Sequence, residues 1–175
     1  MKYLTLVIFI LAASGCANNS HIKESNTAIS YSPYFKINIP TQKLDSAIFF
    51  QSDSVSVRFA NGSVLSGLII DQDVENLPPN FNLSEYPEYS LGLKSTEELA
   101  EPYASLFSNS WKETKRTLKN PNINTTETSN YVIYTACGEE SCISFLVNKD
   151  ETDHILMLSG SGFNKNDYKE LLKGF

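Results

Sequence analysis

Residues 131–149, YVIYTACGEESCISFLVNK, constrain the fold more than any other stretch of the chain. Two runs rich in β-branched and aromatic residues flank the polar turn GEES, which is the pattern of a β-hairpin. Pairing Cys137 with Cys142 sets a register in which Tyr134 faces Phe145, Val132 faces Val147 and Ala136 faces Ile143. Side chains alternate across a strand, so those six residues share one apolar face. Tyr131, Ile133, Thr135, Ser144 and Leu146 form a mixed opposite face, expected to be partly covered. HILMLSG (154–160) follows across DETD and extends the hairpin to three antiparallel strands.

A second group of strands precedes it. YFKINI (34–39) alternates until Pro40 stops it, and AIFFQ (47–51) reads as a short apolar strand. VSVRFANGSVLSGLII (55–70) reads as a hairpin about Asn61-Gly62, because both turn positions tolerate positive φ. The expected register sets Phe59 opposite Val64, Val57 opposite Ser66 and Val55 opposite Leu68, with Ser56 and Arg58 on the other face. Residues 71–94 carry three prolines and no sustained period, as in a long surface connection. Its aromatics Phe81, Tyr86 and Tyr89 either pack that connection onto the domain or form a partner-binding surface. Ser95-Thr96-Glu97-Glu98 is a capping-box pattern. Leu99, Tyr103, Leu106, Phe107, Trp111 and Leu118 then follow a helical stripe, with a break expected at Pro102. NPNINTTETSN (120–130) reads as a polar loop. NKNDYKELLKGF predicts an amphipathic helix capped by Asn164, with Tyr168, Leu171, Leu172 and Phe175 on one face. This order predicts an α+β domain: an antiparallel sheet of about six to seven strands packed with a central helix and a C-terminal helix.

The N-terminus speaks to location. Met1-Lys2 is a short positive start, and Tyr3–Ala12 is an apolar run too short to span a bilayer. Ala13-Ser14-Gly15-Cys16 follows, and it resembles the lipobox of bacterial lipoproteins. The resemblance implies cleavage before Cys16 and acylation of its thiol, since two or three acyl chains hold a protein stably on a membrane. Ala17 in place of Asp implies sorting to the outer membrane, facing the periplasm. The expected organisation is therefore a cleaved signal peptide (1–15), a lipidated Cys16 with a polar tether (16–33) and one globular domain (34–175). His21 falls in that tether and reads as a solvated residue.

The chain has 175 residues, enough to bury a core, and a formal net charge of −6. Phosphate neutralisation needs clustered Lys and Arg, so nucleic acid is not an expected partner. Beyond a secretory signal, CGEESC reads as a structural disulfide between Cys137 and Cys142, with redox or metal binding as the alternative. SGSGF (159–163) lacks the longer glycine loop and Lys of nucleotide sites. A nucleophile elbow needs glycine two residues to either side of its serine, and Ser161 has Ser159 and Phe163 there. His154 opens a strand, and DETDH (150–154) can be drawn either as a cation site or as a solvated loop. No cofactor, metal or catalytic residue is expected.

The element order over roughly residues 34–175 resembles the PsbP-like fold of DcrB-type envelope lipoproteins, with an Asn-Gly hairpin, a helix, a three-stranded meander and a short C-terminal helix. The resemblance implies a non-catalytic accessory or binding protein, and an immunity-type inhibitor is a variant of that binding role. The expected partners are the bilayer, through acylated Cys16, and an envelope protein. The alternative is a small envelope hydrolase using carboxylates or Ser161.

Overall fold

The computed structural model describes residues 25–175 apart from 52, 53 and 74. Cys16, the segment 1–15 and residues 16–24 of the expected tether lie outside the described residues. Nine strands and three helices are described: β1 (Asn26–Ser30), β2 (Lys36–Pro40), β3 (Ile48–Gln51), β4 (Val55–Arg58), β5 (Val64–Ile70), α1 (Tyr86–Ser90), α2 (Tyr103–Leu118), β6 (Asn122–Glu127), β7 (Tyr131–Cys137), β8 (Ser141–Asn148), β9 (Ile155–Ser161) and α3 (Lys165–Leu172). The class is α+β as expected. A seven-stranded antiparallel sheet runs in the order β3-β4-β5-β9-β8-β7-β6, and β1 and β2 form a separate two-stranded hairpin. Strand β9 lies between β5 and β8, joining the two strand groups.

Two apolar cores lie on opposite faces of this sheet. One packs the β1–β2 hairpin and α3 against Val57, Leu65, Leu146, Leu156 and Leu158. The other packs α1, α2 and the connection before them against Ile70, Ala136, Phe145, Val147 and Ile155. The 131–149 hairpin has the expected register throughout, with Cys137 opposite Cys142. Their sulfurs lie 2.09 Å apart, at disulfide distance. The opposite face of that hairpin is covered more fully than expected: Thr135, Ser144 and Leu146 are buried beneath the first layer.

Glycines in the sheet admit that layer. The Tyr31 ring lies where a Cβ on Gly67 would sit, and a Cβ on Gly160 would fall 2.5 Å from Tyr168 Cε2. Glycine in a strand here marks close approach, since any side chain would displace a ring. Tyr168 is fully buried and its hydroxyl donates to Leu158 O at 3.2 Å. Helix α3 begins as expected, with Asn164 Oδ1 accepting from the N–H groups of Asn166 and Asp167.

Four expectations are corrected. The tether does not extend to residue 33, because Asn26–Ser30 forms β1 and pairs with Lys36–Pro40. Its polar residues alternate with the buried Ile29, the single anchor that strand needs. The Asn61-Gly62 hairpin has a three-residue loop: Gly62 N donates to Phe59 O and Phe59 N to Ser63 O, with Gly62 at φ +87°. A glycine bulge of this kind shifts the register by one residue. Val57 therefore faces Leu65, while Val64, Ser66 and Leu68 point to the other face. The central helix starts after Pro102 and not at Ser95, whose hydroxyl closes a local turn by accepting from Glu97 N. Residues 122–127, expected as loop, form the polar edge strand β6 against β7.

Burial holds the hydroxyls of Tyr31, Tyr86 and Tyr168 above the usual tyrosine range. It pushes Tyr134 up to about 12, with the Glu88 carboxylate that accepts its hydrogen bond adding to the rise. A raised folded value means that the protonated phenol's contribution is complete below the unfolded pKa of about 10 and is lost as pH rises through the folded one. Stability should therefore fall from about pH 10 upward. Phenolate absorbance at about pH 11 should show these four rings un-ionised in the native protein and ionised in denaturant. Ionisation of all tyrosines before the unfolding transition would contradict this burial.

Candidate functional site

Residues directly opposite in an antiparallel ladder share a face. The pairings therefore define transverse rows across the sheet. On the face carrying α1 and α2, one row reads Phe50, Ser56, Ser66, Ser159, Ile143, Ala136, Ile123. The neighbouring row reads Ile48, Arg58, Val64, Ser161, Ser141. Rows towards the other end, through Leu68-Met157-Phe145 and Ile70-Ile155-Val147, lie nearer the covered core.

Small hydroxyl side chains at the first two rows leave space under the C-terminal half of α2. The result is an open groove of about 370 Å³. Its floor is formed by Val64, Ser66, Ile143, Ser159 and Ser161, and its wall by Glu113, Thr114 and Thr117 of α2. Ser159 and Ser161 are exposed to solvent, whereas Val64, Ser66 and Ile143 are half-buried. Ser56 donates to Ser66 Oγ at 2.8 Å. The Glu113 carboxylate is engaged by Arg116, whose Nε donates at 3.0 Å and holds the Glu113 pKa below the usual carboxylate value. The groove thus combines aliphatic surface with uncharged hydroxyl donors and acceptors.

The expected partner aromatics are elsewhere and are corrected here. Tyr86 and Tyr89 are buried, and Phe81 is half-buried. Tyr86 packs edge-on against Phe107 at 5.3 Å and Phe145 at 5.8 Å, and Phe81 stacks on Phe107 at 5.6 Å. They are the contacts that hold the 71–94 connection onto the sheet. A proline-rich connection that spans a sheet face has to bury its own apolar side chains to stay there, and these three do so.

Ser161 and His154 are brought no closer by the fold. Ser161 ends β9 and His154 immediately precedes it, seven residues away, or about 23 Å at strand rise. His154 Nδ1 lies 3.3 Å from Glu151 Oε1, and its ring stacks on Tyr34 at 5.6 Å. The DETDH segment borders an acidic hollow of about 470 Å³ with Asp71, Asp73 and Asp153. Among the described residues no group of three or more His, Cys, Asp or Glu is placed to hold a metal ion.

Sequence reasoning missed two features. The groove serines were legible only as polar interruptions in apolar strands, at SVLSG and LSGS. The strand β3, read as apolar, is exposed along its whole length: Ile48, Phe49 and Phe50 each retain more than half of their surface, at 53, 51 and 52 %. No protein-family model matches the chain, and no curated protein or solved structure matches it either, so what the groove takes is read from its own walls.

Proposed function

We propose that this chain is a lipid-anchored, non-catalytic binding module of a bacterial cell envelope, attached through acylated Cys16 and taking a protein partner in the groove between α2 and the sheet. The groove is the observation that carries this reading. It is open, neutral in its floor and lined by aliphatic and hydroxyl groups, which suits an extended segment or an inserted side chain of another protein. Its one carboxylate is already committed to Arg116, and His154, the histidine among the described residues, is about a strand length away. Both features favour binding over hydrolysis.

Filling the floor tests the groove. Ser159→Phe is expected to weaken capture of the partner by at least about tenfold, equivalent to about 1.4 kcal/mol. Circular dichroism should be unchanged, because Ser159 is solvent-exposed. Undiminished capture would overturn the groove assignment. Cys16→Ser tests the anchor separately. The variant should leave the membrane fraction and appear soluble with its fold intact; persistent membrane association in high salt would refute acylation at that residue.

A further inference from the structure

The strand β3 is an edge strand of the seven-stranded sheet, and among the described residues no strand pairs with the backbone N–H and C=O groups on its outer side. Edge strands are ordinarily blunted by charge, proline or a bulge. Ile48-Phe49-Phe50-Gln51 has no charged residue and no proline. Phe49 shares the face of Val57, while Ile48 and Phe50 share the face of Arg58 and Ser56, so apolar side chains splay to both sides of the edge. Their exposure contrasts with Val57 next to them, which is fully buried.

Chain connectivity places this edge close to where the N-terminal segment enters the domain. Ser25 O accepts from Thr41 N at 2.9 Å and from Thr41 Oγ1 at 2.8 Å. Between Thr41 and Ile48 lie one 3-10 turn (Thr41–Leu44) and a turn closed by Ala47 N donating to Leu44 O at 2.9 Å. Those elements separate Thr41 from Ile48 by at most roughly 17 Å. Nine residues from Cys16 to Ser25 reach at most about 32 Å. A chain acylated at Cys16 can therefore bring the β3 edge to the bilayer, and β1 shortens the tether between them.

From this we infer that the β3 edge is a membrane-contact element, with Ile48, Phe49 and Phe50 entering the interface of a zwitterionic bilayer beside the Cys16 anchor. The inference rests on the acylation of Cys16 proposed above. The occupant is lipid because the tether is short enough to bring this edge to the bilayer and because the exposed side chains are apolar. A net charge of −6 gives no general attraction to anionic headgroups. The unpaired backbone groups of an open edge are not tolerated in the hydrocarbon core, so contact is confined to the hydrated headgroup level, with the rings reaching the acyl boundary.

The test uses phosphatidylcholine vesicles containing acyl-brominated lipid, which quenches tryptophan on contact. The edge reporter carries Phe50→Trp with Trp111→Phe. The helix reporter carries Lys112→Trp with Trp111→Phe, on the exposed side of α2. Each is held on vesicles in two ways: by its own anchor, and, after Cys16→Ser, by an N-terminal histidine tag on nickel-chelating lipid. The edge reporter is expected to lose most of its fluorescence, with a blue shift, in both arms and equally in high salt, while the helix reporter is unquenched. A bright edge reporter on vesicle-bound protein in the tagged arm overturns the inference. Failure to bind vesicles in the first arm alone, with the edge reporter quenched in the second, overturns acylation and leaves the edge contact supported. A photo-cross-linker at position 50 that yields protein adducts in place of lipid adducts in cells also overturns it, in favour of strand pairing by a protein.

Discussion

Phe107→Ala should destabilise the protein by about 3–5 kcal/mol, the range for removing a buried aromatic ring. Phe107 is fully buried and is the point on α2 where the connection meets the helix. Phe81, Tyr86 and Tyr89 all lie with ring centroids 5.3–5.6 Å from it. Its loss leaves a cavity and also removes the partner of three other rings, so collapse around the site is poor and the upper half of the range is expected. Urea unfolding followed by circular dichroism gives the midpoint shift. Protease accessibility of residues 75–94 should rise in the same variant, because these ring contacts hold the connection against α2. A change under about 1 kcal/mol would mean that the second core does not depend on this cluster.

Tyr168→Ala should have an effect of the same size on the opposite face, again about 3–5 kcal/mol. The ring is fully buried, sits over Gly160 and packs against Phe163 at 6.0 Å. Tyr168→Phe separates packing from the hydrogen bond to Leu158 O: it should cost about 1 kcal/mol. Gly160→Ala should cost about 1–3 kcal/mol by forcing the ring away from the strand. If Tyr168→Ala and Gly160→Ala were both neutral, α3 would not be docked on the sheet as described. Melting curves of the three variants decide the matter.

The parts of the fold that were legible in the sequence are those in which independent local signals agree. In residues 131–149 the apolar alternation, the polar turn and the two cysteines all require one register, and that register is the one observed. Asn164 and the Tyr168-Leu171-Leu172 stripe define α3 in the same way. The Asn61-Gly62 turn misled because a two-residue turn and a three-residue loop with a glycine bulge use the same dipeptide. The one-residue difference exchanges the faces, and with them the identity of the groove floor. Residues 122–127 have the composition of a loop, and they are a strand only because β7 offers hydrogen bonds along its edge, a tertiary cause. The candidate site was less legible than the fold. Aromatic composition drew attention to Phe81, Tyr86 and Tyr89, but whether an aromatic anchors its own loop or a partner depends on what it meets across space, here Phe107. Conversely, Ile48-Phe49-Phe50 reads as an apolar strand, and only the sheet order shows that among the described residues no strand lies on its outer side.

The groove between α2 and the sheet, and not the aromatic connection, is where we propose that a protein partner binds. A photo-cross-linking residue placed at Ser159 in the full-length protein, irradiated in intact cells, tests this directly, with the same residue at Lys112 and at Phe81 for comparison. One discrete protein adduct from position 159, and none from position 112 or 81, is the expected result. Adduct formation from position 81 with none from position 159 would contradict it.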